Sequence, residues 1–157
     1  MQKLQMLHDF IVGVAKIPEE SIQVYAVDGK NYGLTPAGVD PQVFKDVYTA
    51  EIFIENFPFL DKDPRILHGA LGWWISAYEK QKNKDEPLFI FESNPPKTSS
   101  TVDLFFTSQL EESTTFENGE MTTCLEPLVS DPLEIMPETL KIYLKQEGID
   151  AEELIYG

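Results

Sequence analysis

The sequence has few of the residues that build reactive or covalently cross-linked sites. It holds one cysteine, Cys124, and two histidines, His8 and His68, among 157 residues. A lone cysteine cannot form an internal disulfide, which excludes the small disulfide-stapled secreted folds and fits a reducing compartment. A structural zinc site needs about four Cys or His ligands, so these counts exclude it. We therefore expect a cytoplasmic protein without a metal or cofactor.

Long apolar runs are also missing. No stretch approaches the roughly 20 apolar residues of a transmembrane helix. The first 16 residues include Asp9 and have no small-residue cleavage site before Pro18, so they do not resemble a signal peptide. We expect no membrane span and a mature chain that starts at Met1. Because 42% of the residues are apolar, the chain can still close one globular core.

Basic residues are scarce. The chain has 12 Lys and Arg against 27 Asp and Glu, a net charge of −15. Because affinity for a nucleic-acid backbone comes chiefly from Lys and Arg, sequence-specific DNA or RNA binding is disfavoured. Residues 101–157 hold 13 acids and two bases, whereas residues 1–100 hold 14 acids and 10 bases. Such an acidic block is either a solvated surface or an interacting one.

Motifs of catalysis are absent as well. The sequence has no phosphate-binding loop, dinucleotide-binding glycine motif or nucleophile elbow. The two histidines have no metal ligand at a suitable spacing, so surface or capping roles are expected for both. Asp61 and Asp63 precede Pro64, which indicates a helix cap and not a cation site. We expect an interaction protein with no catalytic residue.

Hydrophobic periodicity predicts an α+β fold, a single domain in which a mainly antiparallel or mixed β-sheet is flanked by helices. A turn is predicted at Asp28-Gly29 and an exposed loop over residues 30–42. The predicted helices span residues 2–16 and 64–81, and the predicted strands span residues 22–27, 47–57, 88–91, 101–112 and 121–125, the last two joined by a hairpin turn at Asn118-Gly119.

The C-terminal part is predicted to be an extension, residues 134–157, of a domain formed by residues 1–133. Here Leu140, Ile142 and Leu144 alternate with polar neighbours, which favours a strand, although a helix is also compatible with the pattern. Residues 147–157 are acidic and have few apolar anchors, so we expect an adaptable arm.

The helix predicted at residues 64–81 has an unusually wide apolar surface. Its apolar arc spans about 200°, whereas a helix that covers one core needs about 100°. Either the helix is sunk deep in its own core, or it also contacts another subunit. For the second case, the candidate oligomer contacts are Ile66, Trp73 and Tyr78.

The order of these segments resembles that of the tail completion proteins of P2-like contractile-tailed bacteriophages, which belong to the tail-terminator class. The resemblance spans about residues 1–145 and consists of hydrophobic patterns. It rests on the strand and turn of residues 22–29, the strand 48–54 and the following tryptophan-containing helix that ends at Tyr78-Glu79, the segments 89–92, 102–106 and 110–112, the hairpin 116–124 and the proline-spaced stretch 127–132.

This resemblance implies a ring, hexameric in tail terminators generally, that caps the head-proximal end of the tail. The ring would stop tube and sheath polymerisation and offer a surface to the head–tail connector, within a virion tail assembled in the host bacterial cytoplasm. It implies no catalytic residue and no cofactor. The candidate tail or channel contacts are Glu111, Glu112, Glu117 and Glu120, together with the segment 140–156. Acidic groups on a channel wall would let DNA slide without being gripped.

Two other classes stay open from the sequence. One is an acidic regulator or nucleic-acid mimic of a mobile element, although mimics place their charge densely on one surface and the strand carboxylates here alternate with apolar residues. The other is a small-ligand enzyme whose site has no recognisable motif. The particle could be an infectious phage or a tail-derived bacteriocin.

Overall fold

An antiparallel sheet with helices packed on one of its faces forms the body of the protein. The computed structural model describes residues 2–79, 85–94, 99–128 and 130–156. The elements are α1 (Gln2–Ala15), β1 (Ile22–Gly33), β2 (Gln42–Phe57), α2 (Pro64–Tyr78), β3 (Ile90–Ser93), β4 (Val102–Glu117), β5 (Glu120–Thr123), α3 (Glu138–Gln146) and α4 (Ala151–Tyr156), with single 3₁₀ turns at Glu19–Ser21 and Pro132–Ile135. The predicted α+β class is confirmed.

The sheet is centred on its two longest strands, β2 and β4, which pair over almost their full length. The strand order is β1-β2-β4-β3. Strand β3 pairs with residues 104–107 of β4, and β5 pairs with residues 114–117 of β4. All pairings are antiparallel. Because side chains alternate along a strand, β2 places Ala50, Ile52 and Ile54 on one face, where they are fully buried. That face is the one the helices cover.

The predicted start of α2 is confirmed. Asp63 caps the helix through its side chain, which accepts a hydrogen bond from the Arg65 backbone N–H at 2.9 Å, and Pro64 occupies the first turn. Proline has no backbone N–H, and at this position a helix has no acceptor for one, so proline is favourable there. The helix ends at Tyr78, and the last residues of the predicted span lie outside the described part of the chain.

Helix α2 is sunk deep in its own core. It contacts α1, α3 and the Pro132–Ile135 turn, and the Trp73 indole donates a hydrogen bond to the Pro132 carbonyl at 3.0 Å. The wide apolar arc is therefore covered within the chain, as the first of the two interpretations requires. Its buried residues are Leu67, Ala70, Leu71, Trp73, Trp74, Ile75 and Ala77.

The predicted turn at Asp28-Gly29 is wrong, because β1 continues through these residues to Gly33. The pairing with β2 shifts between Val27 and Lys30, and Asp28 has a φ of 53°. An aspartate tolerates the left-handed region, so the dipeptide forms a bulge inside the strand and does not reverse the chain. The predicted loop is correspondingly shorter, since both of its ends belong to β1 and β2.

The predicted C-terminal strand is also wrong, because the segment forms α3. Leu140 and Leu144 are 9% and 0% exposed, whereas Ile142 is 55% exposed. Residues four apart share a helix face, so the two leucines pack on α2 and the isoleucine faces outward. The expected adaptable arm instead folds back, with Ile149 buried and α4 in contact with α1. The boundary expected near residue 133 stays a prediction.

Leu144→Ala tests the helical assignment. We expect a loss of about 2–5 kcal/mol in the free energy of unfolding, because the substitution leaves a cavity between α3 and α2. The control, Ile142→Ala, should change it by less than about 0.5 kcal/mol, since that side chain is exposed. Urea denaturation measures both. Equal losses would contradict the helix, because a strand would place the two residues on one face.

Candidate functional site

The sheet extends beyond the helices that cover it. A 16-residue strand such as β2 is about 53 Å long at roughly 3.3 Å per residue, whereas the 14 residues of α1 span only about 21 Å. One helical layer therefore cannot cover the sheet. We call the uncovered part the overhang; it consists of residues 28–33 of β1, 42–47 of β2, 111–117 of β4 and 120–123 of β5.

The overhang begins where α1 begins. The backbone N–H of Lys3, in the first turn of α1, donates a 2.9 Å hydrogen bond to Glu112 Oε1 on β4. The carboxylate thus satisfies a helix N-terminal donor and lies at the positive end of the helix dipole. Farther along the strands exposure rises, to 45% at Phe116 and 63% at Met121. About 20 Å of four-stranded sheet therefore leaves the body, at about 3.3 Å per residue of β2.

The two faces of the overhang differ in chemistry. On the face that continues the helix-covered side, the Phe44 and Phe116 rings lie 6.0 Å apart at 77°, and Met121 pairs with Phe116 across the hairpin. These three residues form an apolar strip, in which Phe116 and Met121 are exposed and Phe44 is half-buried. The opposite face, which we call the acidic face, carries Glu111, Glu117 and Glu120 together with Lys30 and Lys45; Glu111 Oε2 lies 3.9 Å from Lys45 Nζ.

Glu117 and Glu120 stand directly opposite each other at the hairpin tip. Like charges at such positions destabilise a sheet by up to about 1 kcal/mol, so hairpin stability does not explain them. Both are exposed and, with Glu126, they line a shallow cleft of about 580 Å³. Of the four acids predicted to contact the tail or channel, Glu111, Glu117 and Glu120 lie on the acidic face of the overhang, and Glu112 is buried at its base.

A buried charge cluster at this base joins α1, the end of α2, β2 and β4. The Lys3 ammonium lies 2.5 Å from Glu79 Oε1 and donates to the Glu111 carbonyl at 2.6 Å. Glu79 Oε2 accepts from the Glu111 backbone N–H at 3.1 Å, and the Tyr48 hydroxyl donates to Glu112 Oε2 at 2.9 Å. The cluster ties the start of α1 and the end of α2 to β4.

Burial dominates the titration of this cluster. It raises the pKa of Glu79, although the hydrogen bond and charge of Lys3 act in the opposite direction. Burial, followed by the hydrogen bond to Glu112, also raises the pKa of the Tyr48 hydroxyl. Tyr48 therefore stays a neutral donor to Glu112, and Lys3 offsets only in part the cost of ionising the buried Glu79 carboxyl.

A second feature is a groove between α1 and α2, which α4 covers. We define the groove by Phe10 and Gly13 of α1 and Trp73, Trp74 and Tyr78 of α2. Its aromatic groups pack together: the Phe10 ring lies 5.8 Å from the Trp73 ring, and Tyr78 stacks on Trp74 at 4.9 Å. A cavity of about 450 Å³, lined by these residues and by α4, remains between the groove and α4.

The structure brings together two of the three predicted oligomer contacts. Trp73 is 5% exposed and Tyr78 is half-buried, and both line the groove. Ile66 lies apart from them, near Lys62 and Glu147. No contact with another subunit is thereby tested, so the oligomer role of the three residues stays a prediction.

The histidines and the cysteine have ordinary environments. His68 is half-buried and packs against Phe91 and Phe106, with ring centroids 4.4 Å and 5.5 Å away, so it is a partly exposed packing residue. Burial lowers its pKa, partly opposed by Asp63. His8 lies 3.3 Å from Asp9, and Cys124 is exposed. Within the described ranges no three His, Cys, Asp or Glu side chains could hold a metal ion.

The charge cluster and the groove were both missed by the sequence interpretation. Lys3 and Glu112 are 109 residues apart, and in sequence each resembles any other surface charge. Gly13 lies in a predicted helix where glycine is unfavourable, and this was the available signal that another element approaches α1 there.

Glu112→Ala tests the long-range cap. We expect a loss of about 2–4 kcal/mol in the free energy of unfolding, because the Lys3 N–H and the Tyr48 hydroxyl lose their buried acceptor. Glu117→Ala removes an equal charge from an exposed site of the same strand and should cost less than about 0.5 kcal/mol. Guanidinium titrations of the two variants compare them, and similar losses would contradict the cap.

The raised pKa of Glu79 predicts a pH dependence. Where an acid has a higher pKa in the folded state, the folded state binds the proton more strongly, so its contribution to stability falls as pH rises through that pKa. The wild type should therefore lose stability relative to Glu79→Gln as the pH rises from 4, below the ordinary glutamate pKa of 4.5, to 7.5. Urea titrations of both proteins at the two pH values measure this, and an unchanged difference would contradict the shift.

Comparison with known sequences agrees with the resemblance noted above. Residues 1–127 match the family described as P2 phage tail completion protein R (GpR). No curated protein and no solved structure matches the chain. None of the helices in the described ranges is long and apolar enough to cross a membrane. The family is one of structural proteins. The chain therefore belongs to the P2 phage tail completion protein R family and is a structural component of a phage tail.

Proposed function

We propose that this protein forms a ring that caps the head-proximal end of a contractile tail. It recognises its neighbours through the shape and charge of its surface and catalyses no reaction. The cap ends polymerisation of tube and sheath and gives the head–tail connector a surface to join. The family match supports a role in the tail. Among the structural features, the overhang is the observation on which the proposal chiefly rests.

The overhang suits a capping subunit. About 20 Å of twisted four-stranded sheet, at about 3.3 Å per residue, projects from a body whose core is already complete. In its apolar strip, Phe116 and Met121 are exposed where folding of the subunit does not need them. Exposed apolar surface of this kind marks interaction sites. We assign this strip to contacts with tube, sheath or connector.

A ring requires a heterologous contact, in which one surface of a subunit meets a different surface of the next. We propose that the α1–α2 side of the subunit, with Trp73 and Tyr78 in the groove and Ile66 at the other end of α2, provides one half of this contact, and that the ring is hexameric. The C-terminal segment 140–156 lies on the same side, since α3 contacts α2 and α4 contacts α1.

The acidic face supports a role at the channel. At the hairpin tip Glu117 and Glu120 carry like charges and, with Glu126, line one cleft, whereas Lys30 and Lys45 lie nearer the base, on the same side as Glu111. In a ring the acidic tip would repeat in every subunit. A wall of carboxylates repels phosphate and lets DNA pass without binding. The alternative, an acidic regulator or nucleic-acid mimic, accounts for the charge but not for the family match.

Deletion of the gene tests the proposed function. Without a cap, electron microscopy should show tails of uncontrolled length or tails without heads, because nothing ends polymerisation or prepares the joint. Purified protein added to such tails should restore joining. Tails of normal length with attached heads in the deletion strain would refute the proposal.

Charge reversal tests the channel assignment. Glu117→Lys with Glu120→Lys should leave tails complete but slow DNA ejection, because lysines at the channel bind phosphate, and added salt should weaken this effect by screening. The same change in charge at Glu19 and Glu20, which are exposed on a 3₁₀ turn outside the overhang, is the control. Ejection that is equally fast in all three proteins would contradict the assignment.

A further inference from the structure

Helix α4 fits the groove through a specific contact. A Cβ placed on Gly13 would lie 2.5 Å from Leu154 Cδ1, closer than real side chains come. Glycine at this position of α1 therefore leaves the space that the Leu154 side chain occupies. A leucine inserted where a helix lacks a side chain is typical of helix-in-groove recognition.

The attachment of α4 is nevertheless slight. The helix has six residues and none of them is buried; Leu154 and Ile155 are only partly covered. The cavity of about 450 Å³ beneath it shows that α4 does not fill the groove. At its end the Tyr156 hydroxyl donates to Asp131 Oδ1 at 2.6 Å, which raises the pKa of Tyr156 to about 12. An exposed bond of this kind stabilises little.

A short turn precedes α4. Gly148 has a φ of 76° and ends α3, since its backbone N–H and that of Ile149 donate to the Lys145 and Leu144 carbonyls at 3.0 Å and 2.8 Å. Ile149 is 5% exposed, which anchors the chain just before α4. A change of backbone direction at Asp150 would therefore redirect α4 alone and leave the core up to Ile149 intact.

We propose that α4 is a strap exchanged between subunits, so that in the assembled ring α4 of one copy occupies the groove of the next. Exchange of an identical element reproduces every contact made within the chain and adds a covalent path between neighbours. It gives Trp73 and Tyr78 a role as oligomer contacts although the same chain covers them in the single subunit. This inference rests on the proposed ring.

A disulfide between the groove and α4 tests the exchange, because it joins one chain to itself in the single subunit and two chains after exchange. In a Cys124→Ser background, Gly13→Cys with Leu154→Cys places a thiol on each side of the contact, since the Gly13 Cβ position lies 4.0 Å from Leu154 Cγ and the second substitution removes the atom that would clash. Oxidised isolated subunits should give a band of one chain on a non-reducing gel. When the reduced variant is added to tails that lack the native protein and is oxidised only after assembly, most of the cross-linked chain should run as a ladder of dimers and larger species.

The control pair is Thr49→Cys with Gln109→Cys, which are directly opposite on β2 and β4 and must cross-link within one chain in both states. A second measurement mixes the two single variants, Gly13→Cys and Leu154→Cys, which can be joined only between chains. A one-chain band on completed tails overturns the exchange, as does loss of the cross-link on tails or its absence in the isolated subunit.

The two proposals fail separately. If tails in the deletion strain are complete without the protein, capping itself is wrong. If the cysteine variants complete tails but cross-link only within one chain, capping stands and the exchange of α4 is wrong.

Discussion

The position of α1 on the sheet is the constraint on which the rest of the structure depends. Glu112 accepts from the first turn of α1, and Lys3 pairs with Glu79 at the end of α2. Buried charges must be paired, so neither helix can slide along the sheet without leaving one of them alone. The cluster therefore fixes where the helical layer stops and where the uncovered sheet begins.

Two surfaces follow from this placement. Toward the hairpin the strands extend beyond the helices and form the overhang, which has the apolar strip on one face and the acidic face on the other. On the outer side of the helices, α1 and α2 leave an aromatic groove that α3 does not reach and that the short α4 covers. Folding needs neither the exposed apolar strip nor the opposed Glu117 and Glu120, and their cost to stability is consistent with selection for assembly.

Most elements could be predicted from periodicity, because a core face repeats every 3.6 or two residues whatever packs on it. The predictions failed where a local pattern had two solutions. Asp28-Gly29 is favourable both in a turn and in a bulge, and the pairing of β1 with β2 decides between them. Leu140 and Leu144 satisfy either a strand or a helix, and the surface of α2 selects the helix.

The sequence by itself determined the class of the fold, the absence of catalytic motifs and the family, because these depend on residue types and on short-range order. Only the tertiary structure decided that Glu112 is a buried cap while Glu117 is an exposed acid, and that Trp73 and Tyr78 line a groove under α4. The reason is physical: burial and partner are properties of segments about a hundred residues apart, such as Lys3 and Glu112, and no local pattern specifies which surface they will share.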